Sequence, residues 1–222
     1  MIDMNMLRRK ELVEKLYKEG IKNFEVLKAI GKVKRELFVK EEFKKYAYDD
    51  IALPLNSNQT ISQPYTVAFM TELLDIQKEN KVLEVGTGSG YQAALLTLLG
   101  AEIYSIERIK ELYDNAKRVL MENGYNVKMK NDDGTKGWAE YAPFDRIIVT
   151  AGSPRIPKQL LLQLSDEGKM VIPVGGEFSQ EMILVKKDMP ESGDDVPKFK
   201  IKRYKDFKFV PLIGEEGWSI QD

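Results

Sequence analysis

Three glycines at alternate positions, Gly86, Gly88 and Gly90, follow the aliphatic run Val82-Leu83-Glu84-Val85 and precede a run of good helix formers over 91–99. Strand, glycine turn and helix in that order place free N–H groups at a strand end, where ligands bind in doubly wound α/β sheets. A carboxylate, Glu107, stands 21 residues after Gly86, at the end of the next predicted strand. There it can accept hydrogen bonds from both hydroxyls of a ribose. An exposed glutamate at a strand end is the plain alternative. Asp132-Asp133-Gly134 closes the strand after that. An acidic side chain there can take the amino group of an adenine, with the glycine letting the ring lie close; Asp-Gly is also a favoured turn pair. One such site after each of three successive strands makes a coherent nucleoside pocket.

Composition narrows the chemistry. The 222 residues contain neither cysteine nor histidine. Disulfides, thiolate nucleophiles, Ser-His-Asp triads and Cys/His zinc sites are therefore excluded, and no metal site is expected. Lys+Arg 34 against Asp+Glu 35 gives a net charge of −1, so nothing advertises a nucleic-acid partner. No apolar run is long enough to span a membrane and no signal-peptide pattern opens the chain, which predicts a soluble, cytoplasmic protein. The length suits a single domain with an elaboration.

A dinucleotide loop needs glycines in the order G-x-G-x-x-G, and here Tyr91 takes the third place. That disfavours a nicotinamide-dependent oxidoreductase. The pattern Glu84-x-Gly86-x-Gly88-x-Gly90 instead resembles the first motif of the S-adenosylmethionine-dependent methyltransferases. The candidate cofactor contacts are then Glu84, Gly86, Thr87, Gly88, Gly90, Glu107, Asp132, Asp133 and Gly134.

The elements that must position these residues follow from periodicity. Three helix candidates, 7–18, 24–30 (capped by Asn23, with Gly31 after it) and 34–46, form an N-terminal helical elaboration over residues 1–50. Residues 49–65, rich in Asn, Ser, Gln and Pro, read as loop, either functional or a plain connector. A helix over 67–74 leads into the core. Strands over 101–106, 125–130, 144–150 and 168–174 alternate with helices over 108–123 and from Pro154 through Leu164. That alternation predicts an α/β doubly wound, mostly parallel sheet of the Rossmann-like methyltransferase type, its core at 81–174. Strands at 181–187 and 198–204, joined by an acidic loop, and a last strand at 207–213 predict a C-terminal antiparallel portion. Trp218, in the tail from 214, is expected to pack on the core or on another subunit.

More specific strings follow. Thr60-Ile61-Ser62-Gln63-Pro64-Tyr65, VLEVGTGSGYQAALL at 82–96, Asp133-Gly134-Thr135-Lys136-Gly137-Trp138, Ala142-Pro143-Phe144-Asp145, Ile172-Pro173-Val174-Gly175 and Phe209-Val210-Pro211-Leu212 stand in order along the chain. Together they resemble the protein-L-isoaspartate O-methyltransferases. The resemblance implies transfer of a methyl group from S-adenosylmethionine, leaving S-adenosylhomocysteine, to the free α-carboxylate of isoaspartyl residues in damaged proteins. The ester then closes to a succinimide. It implies Ser62 as the active-site hydroxyl, in a substrate loop with Thr60, Ile61 and Gln63. It also implies backbone contacts from Val149, Thr150 and Ala151 and from Val210, Pro211 and Leu212. Asp132 departs from the glycine often found before the family's Asp-Gly, leaving two candidates for the adenine; alignment of Gly134 favours Asp133. A carboxylate substrate is its own nucleophile, so a chain without histidine is not handicapped. The alternatives within enzymes are methyltransferases for RNA or a small molecule; no Pro-Pro pair of the amino-methylating signature and no cysteine for pyrimidine attack is present. A module that merely holds the cofactor is the non-enzyme alternative.

Overall fold

The structure is a computed structural model, and it describes residues 4–189 and 197–219. Val82 and Leu83, like Ile147 and Ile148 or Val171 and Ile172, are adjacent apolar residues that point to opposite faces of one sheet, and both faces bury them. Such runs belong to strands covered on both sides. The strands are β3 (Lys81–Val85), β4 (Glu102–Glu107), β5 (Val127–Asn131), β6 (Phe144–Val149), β7 (Leu164–Gly175), β8 (Gln180–Lys187) and β9 (Phe199–Phe207). They stand in the order β5-β4-β3-β6-β7-β8-β9. The first five pair in parallel; β7–β8 and β8–β9 pair antiparallel. After β3 the chain winds outward through β4 and β5, then returns to lay β6 on the other side of β3. The strand order reverses at that point, and its carboxyl end is where such sheets hold ligands.

One face is covered by α1 (Met4–Lys18), α2 (Phe24–Lys32), α3 (Pro64–Leu74), α4 (Tyr91–Leu98) and α5 (Lys110–Glu122). The other carries the short α6 (Lys158–Leu162) and an aromatic cluster of Tyr104, Trp138, Tyr141 and Phe144. Asn23 caps α2 as expected, its side chain accepting from the N–H groups of Glu25 and Val26.

Four expectations need correction. α2 runs through Gly31 to Lys32, because Ile30 and Val33 both bury there and the cap falls at Val33. Residues 34–46 form two 3-10 turns, Arg35–Leu37 and Glu41–Tyr46, rather than a helix. The second turn has no fully buried residue, and only Phe43 packs in part on the core, so no apolar stripe supports a longer helix. α6 is a five-residue helix, because Leu164 is already paired with Phe144 as the start of β7. Residues 208–213 are not a strand. Pro211 has no N–H to give a ladder, and the segment makes only two isolated bridges, Pro211 to Gly152 and Ile213 to Trp218. It crosses the carboxyl ends of the central strands instead. The loop joining β8 to β9 lies largely outside the described residues.

Within 49–65 the expected loop contains a small hairpin, β1 (Leu53–Pro54) against β2 (Thr60–Ile61). Ser57 and Asn58, at its tip, have φ of 54° and 55°. The side chains of Asn56 and Ser57 donate to the two oxygens of Glu111 on α5, at 2.6 and 2.8 Å. The hairpin thereby arches over the glycine loop, and Leu55 faces Gly88.

Candidate active site

The glycine loop owes its shape to backbone that side chains resist. Gly86, Gly88 and Gly90 have φ of 94°, 54° and 89°, values that cost a residue with a Cβ atom. A Cβ on Gly86 would also fall 2.5 Å from the Thr150 hydroxyl, which donates to the Gly86 carbonyl. Gly90 caps α4 and abuts Leu120; it shapes the loop from behind. The Gly88 N–H donates to one Glu107 oxygen at 2.8 Å and the Ile109 N–H to the other at 2.9 Å. Glu107 is 5% exposed, and its remaining lone pairs face the cavity it lines.

Behind this loop lies a second carboxyl. Glu84 is wholly buried; Ser105 donates to one of its oxygens, and Ser105 in turn meets the Thr87 hydroxyl at 2.5 Å. The other Glu84 oxygen has no partner among the described residues. Burial, with the charge of Glu107 adding to it, pushes the Glu84 carboxyl up to about 8, because removing water disfavours the charged form.

The cavity encloses about 860 Å³ of unfilled space, part of it open to solvent. On one side its wall is Gly86, Thr87, Gly88, Glu107 and Gly134, with the first turn of α4 at Tyr91 and Gln92. On the other are Thr60, Ile61, Ser62, Thr150, Ala151, Val210, Pro211 and Leu212. Ser62 is half-buried there, and its hydroxyl has no partner among the described residues.

Several predicted residues stand elsewhere. Glu84 and Gly90 lie behind the cavity wall. Val149 is buried in β6 and does not line the cavity. Gln63 leaves the cavity and lines a neighbouring groove. Neither Asp132 nor Asp133 lines the cavity. Asp132 pairs with Lys130 at 2.6 Å. Asp133 accepts at one oxygen from the N–H and hydroxyl of Thr135, and at the other from the Glu215 N–H, at 2.7–2.8 Å. It caps the turn Gly134–Lys136 and ties down the tail. Trp218 belongs to the same closure: its indole N–H donates to the Gly152 carbonyl and its backbone N–H to Leu212, so it packs on the core.

Sequence reasoning missed two sets of residues. Arg108, Ile109 and Leu112 extend the cavity beyond Glu107; their place directly after the strand-end carboxylate was a usable signal. Arg35 gave none. It is 0% exposed in a 3-10 turn, and its guanidinium donates to the carbonyls of Ala47 (2.7 Å), Ile51 (3.2 Å) and Ser62 (3.1 Å). It also lies over the Tyr91 ring, 5.7 Å from its centre. One side chain thus binds the helical elaboration, the hairpin approach and the Ser62 backbone together. Burial lowers its pKa, opposed by nearby Tyr91, Asp50 and Tyr48.

The sheet order, the glycine loop and the strand-end carboxylate define an α/β methyltransferase of the nucleoside-binding kind. The family model for Protein-L-isoaspartate(D-aspartate) O-methyltransferase matches residues 7–217, and the chain belongs to that family. A protein-L-isoaspartate O-methyltransferase of Dictyoglomus thermophilum is 51% identical over 213 residues, covering 96% of this chain and 94% of its own. The one from Pelodictyon phaeoclathratiforme is 49% identical over 213 residues, with the same coverage. A solved protein-L-isoaspartate O-methyltransferase superposes with a TM-score of 0.83 at 28% identity, covering 94% of this chain and 67% of its own. A Plasmodium falciparum structure described as a putative family member in complex with S-adenosyl-L-homocysteine superposes at 0.78 and 23% identity, over 92% and 98% of the two chains. At that identity the likeness is one of fold.

Proposed function

We infer that this single cavity holds S-adenosylmethionine on its glycine-loop side and an isoaspartyl residue of a damaged protein under Ser62 on the other. The chain's activity is that of its family, methylation of the isoaspartyl α-carboxyl. The observation that carries the reading is one space walled on one side by Gly86–Gly88 and Glu107 and on the other by the Ser62 hydroxyl, which has no partner among the described residues. The residues present fit the donor. Glu107 offers a buried carboxylate with free lone pairs to a pair of ribose hydroxyls. Gly134, Ile106, Ile109 and Leu112 offer a flat apolar slot for an adenine. A Cβ on Gly134 would fall 2.5 Å from Val85, so only glycine keeps that wall in place.

When bound, the donor supplies an electrophilic methyl group on a sulfonium. The protein's part is to bring the substrate carboxylate in line and keep water out, a proximity effect worth roughly 7–11 kcal/mol at best. Ser62 holds the carboxylate by a hydrogen bond. Backbone groups of Thr60–Ile61 and 210–212 hold the flanking main chain, which suits substrates of varied sequence. The apolar side chains of Ile61 and Leu212 in the cavity wall exclude solvent. The donor side needs no nucleic acid or membrane partner, and among the described residues no helix is long and apolar enough to cross a membrane. A cytoplasmic location is part of the same proposal.

The test supplies labelled S-adenosylmethionine with two peptides that differ only in an isoaspartyl or a normal aspartyl linkage. Label on the isoaspartyl peptide alone is expected; equal label on both, or on neither, overturns the reading.

A further inference from the structure

The two segments that wall the substrate side of the cavity do not end there. Ser62 and Val210 line the cavity; Gln63 and Lys208, one and two residues away in the chain, line a second depression beside it. This groove encloses about 1320 Å³ of unfilled space, part of it open to solvent. Four of its eight lining residues are aromatic; the other four, Gln63, Thr66, Ser179 and Lys208, are polar. Tyr65 and Phe69, one turn apart on α3, stack at 6.0 Å with 13° between their planes. Phe207 at the end of β9 stacks on Phe69 at 5.5 Å, and Tyr204 meets Phe69 edge-on at 5.2 Å. The neighbouring turn, which lends Ser179 to the groove, carries Phe178, 81% exposed. The Gln63 side-chain amide has no partner among the described residues. With two donor hydrogens and one acceptor, it matches the needs of a peptide main chain.

We propose that this groove is a substrate subsite that takes a bulky apolar or aromatic side chain lying within about three residues of the isoaspartate. The substrate is a polypeptide, so its chain must leave the cavity, advancing up to about 3.3–3.6 Å per residue. One exit from Ser62 passes Gln63 and enters the groove, because the same two chain segments border both spaces. The stacked aromatic part of this wall gains contact area from an apolar side chain. The site that varies least among substrates, the isoaspartate, is thus held by hydrogen bonds, and the groove grades substrates by what flanks it.

The proposal rests on the placement of isoaspartate under Ser62, and its test separates the two. Isoaspartyl peptides carry Gly or Phe in turn at each of the three positions on either side. For the wild type, Phe at one of these positions is expected to raise kcat/KM about tenfold over Gly. In Phe207→Ala the advantage falls below about threefold, while the Gly peptide is turned over within about twofold of wild type. Tyr65→Ala, on the opposite wall, gives the same collapse, so the result does not hang on the sheet edge. No advantage at any position in the wild type, or a full advantage kept by both variants, overturns the subsite. Equal turnover of the Gly peptide and its normal aspartyl counterpart would overturn the placement at Ser62 instead.

Discussion

The two sides of the cavity are built differently. The side that we propose holds the methyl donor is local. Gly86, Gly88, Glu107 and Gly134 stand at the ends of adjacent parallel strands, and their hydrogen bonds run between neighbouring loops. The side that we propose holds the substrate is assembled from distant pieces. Its hairpin is held at the tip by Glu111 and at the base by Arg35. Its other border, 208–213, is held by Gln180, whose side-chain amide oxygen accepts from the Phe209 N–H, and by Gly152, which bonds Val210 and Leu212. Sheet topology fixes a donor site once the strands pair. An acceptor site of this construction exists only after the helical elaboration and the tail have docked. Binding of the donor and handling of the substrate should therefore be separable by mutation.

The largest effect is expected at Glu107→Ala. Losing charge-assisted hydrogen bonds, each worth about 1.5–3 kcal/mol, should weaken S-adenosylhomocysteine binding about 100-fold in calorimetry. The KM for peptide at saturating donor should change little. Unaltered donor affinity would break the division at its first side.

A smaller effect concerns Glu84. Its folded pKa of about 8 lies above the ordinary 4.5. The folded state therefore holds a proton that the unfolded state releases. The corresponding stability is fully present below about pH 4.5 and is lost as the pH rises through about 8, a swing of about 3–5 kcal/mol. Urea midpoints of the ligand-free protein should fall across that window. In Glu84→Gln, which cannot ionise, the fall should be flatter; parallel curves would show that the buried carboxyl does not carry it.

The same contrast explains what the sequence shows and what it hides. Strands, glycine loop and Glu107 are visible because they depend on short-range patterns: a β-branched run, alternating glycines, a carboxylate at a strand end. The loop over 49–65 could be read as functional or as a connector, and its hairpin emerges only with the bonds to Glu111. Residues 207–213 look like a strand by composition, yet their place is decided by Gly152 and Gln180, far away in the chain. Asp133 carries the right chemistry for an adenine, but its oxygens are engaged by Thr135 and Glu215, the latter 82 residues on. Arg35 is the extreme case. A lone arginine in a charged segment gives no hint that it will be wholly buried against three carbonyls, where its cost in desolvation is met only by the tertiary structure.

The most direct test of the division is made on Ser62→Ala, with both sides measured on the same protein. Turnover of an isoaspartyl peptide should fall about 10- to 100-fold, the equivalent of one hydrogen bond to a charged group. Calorimetric affinity for S-adenosylhomocysteine should stay within about threefold of wild type. Unchanged turnover, or a loss of donor affinity in step with turnover, would contradict the account.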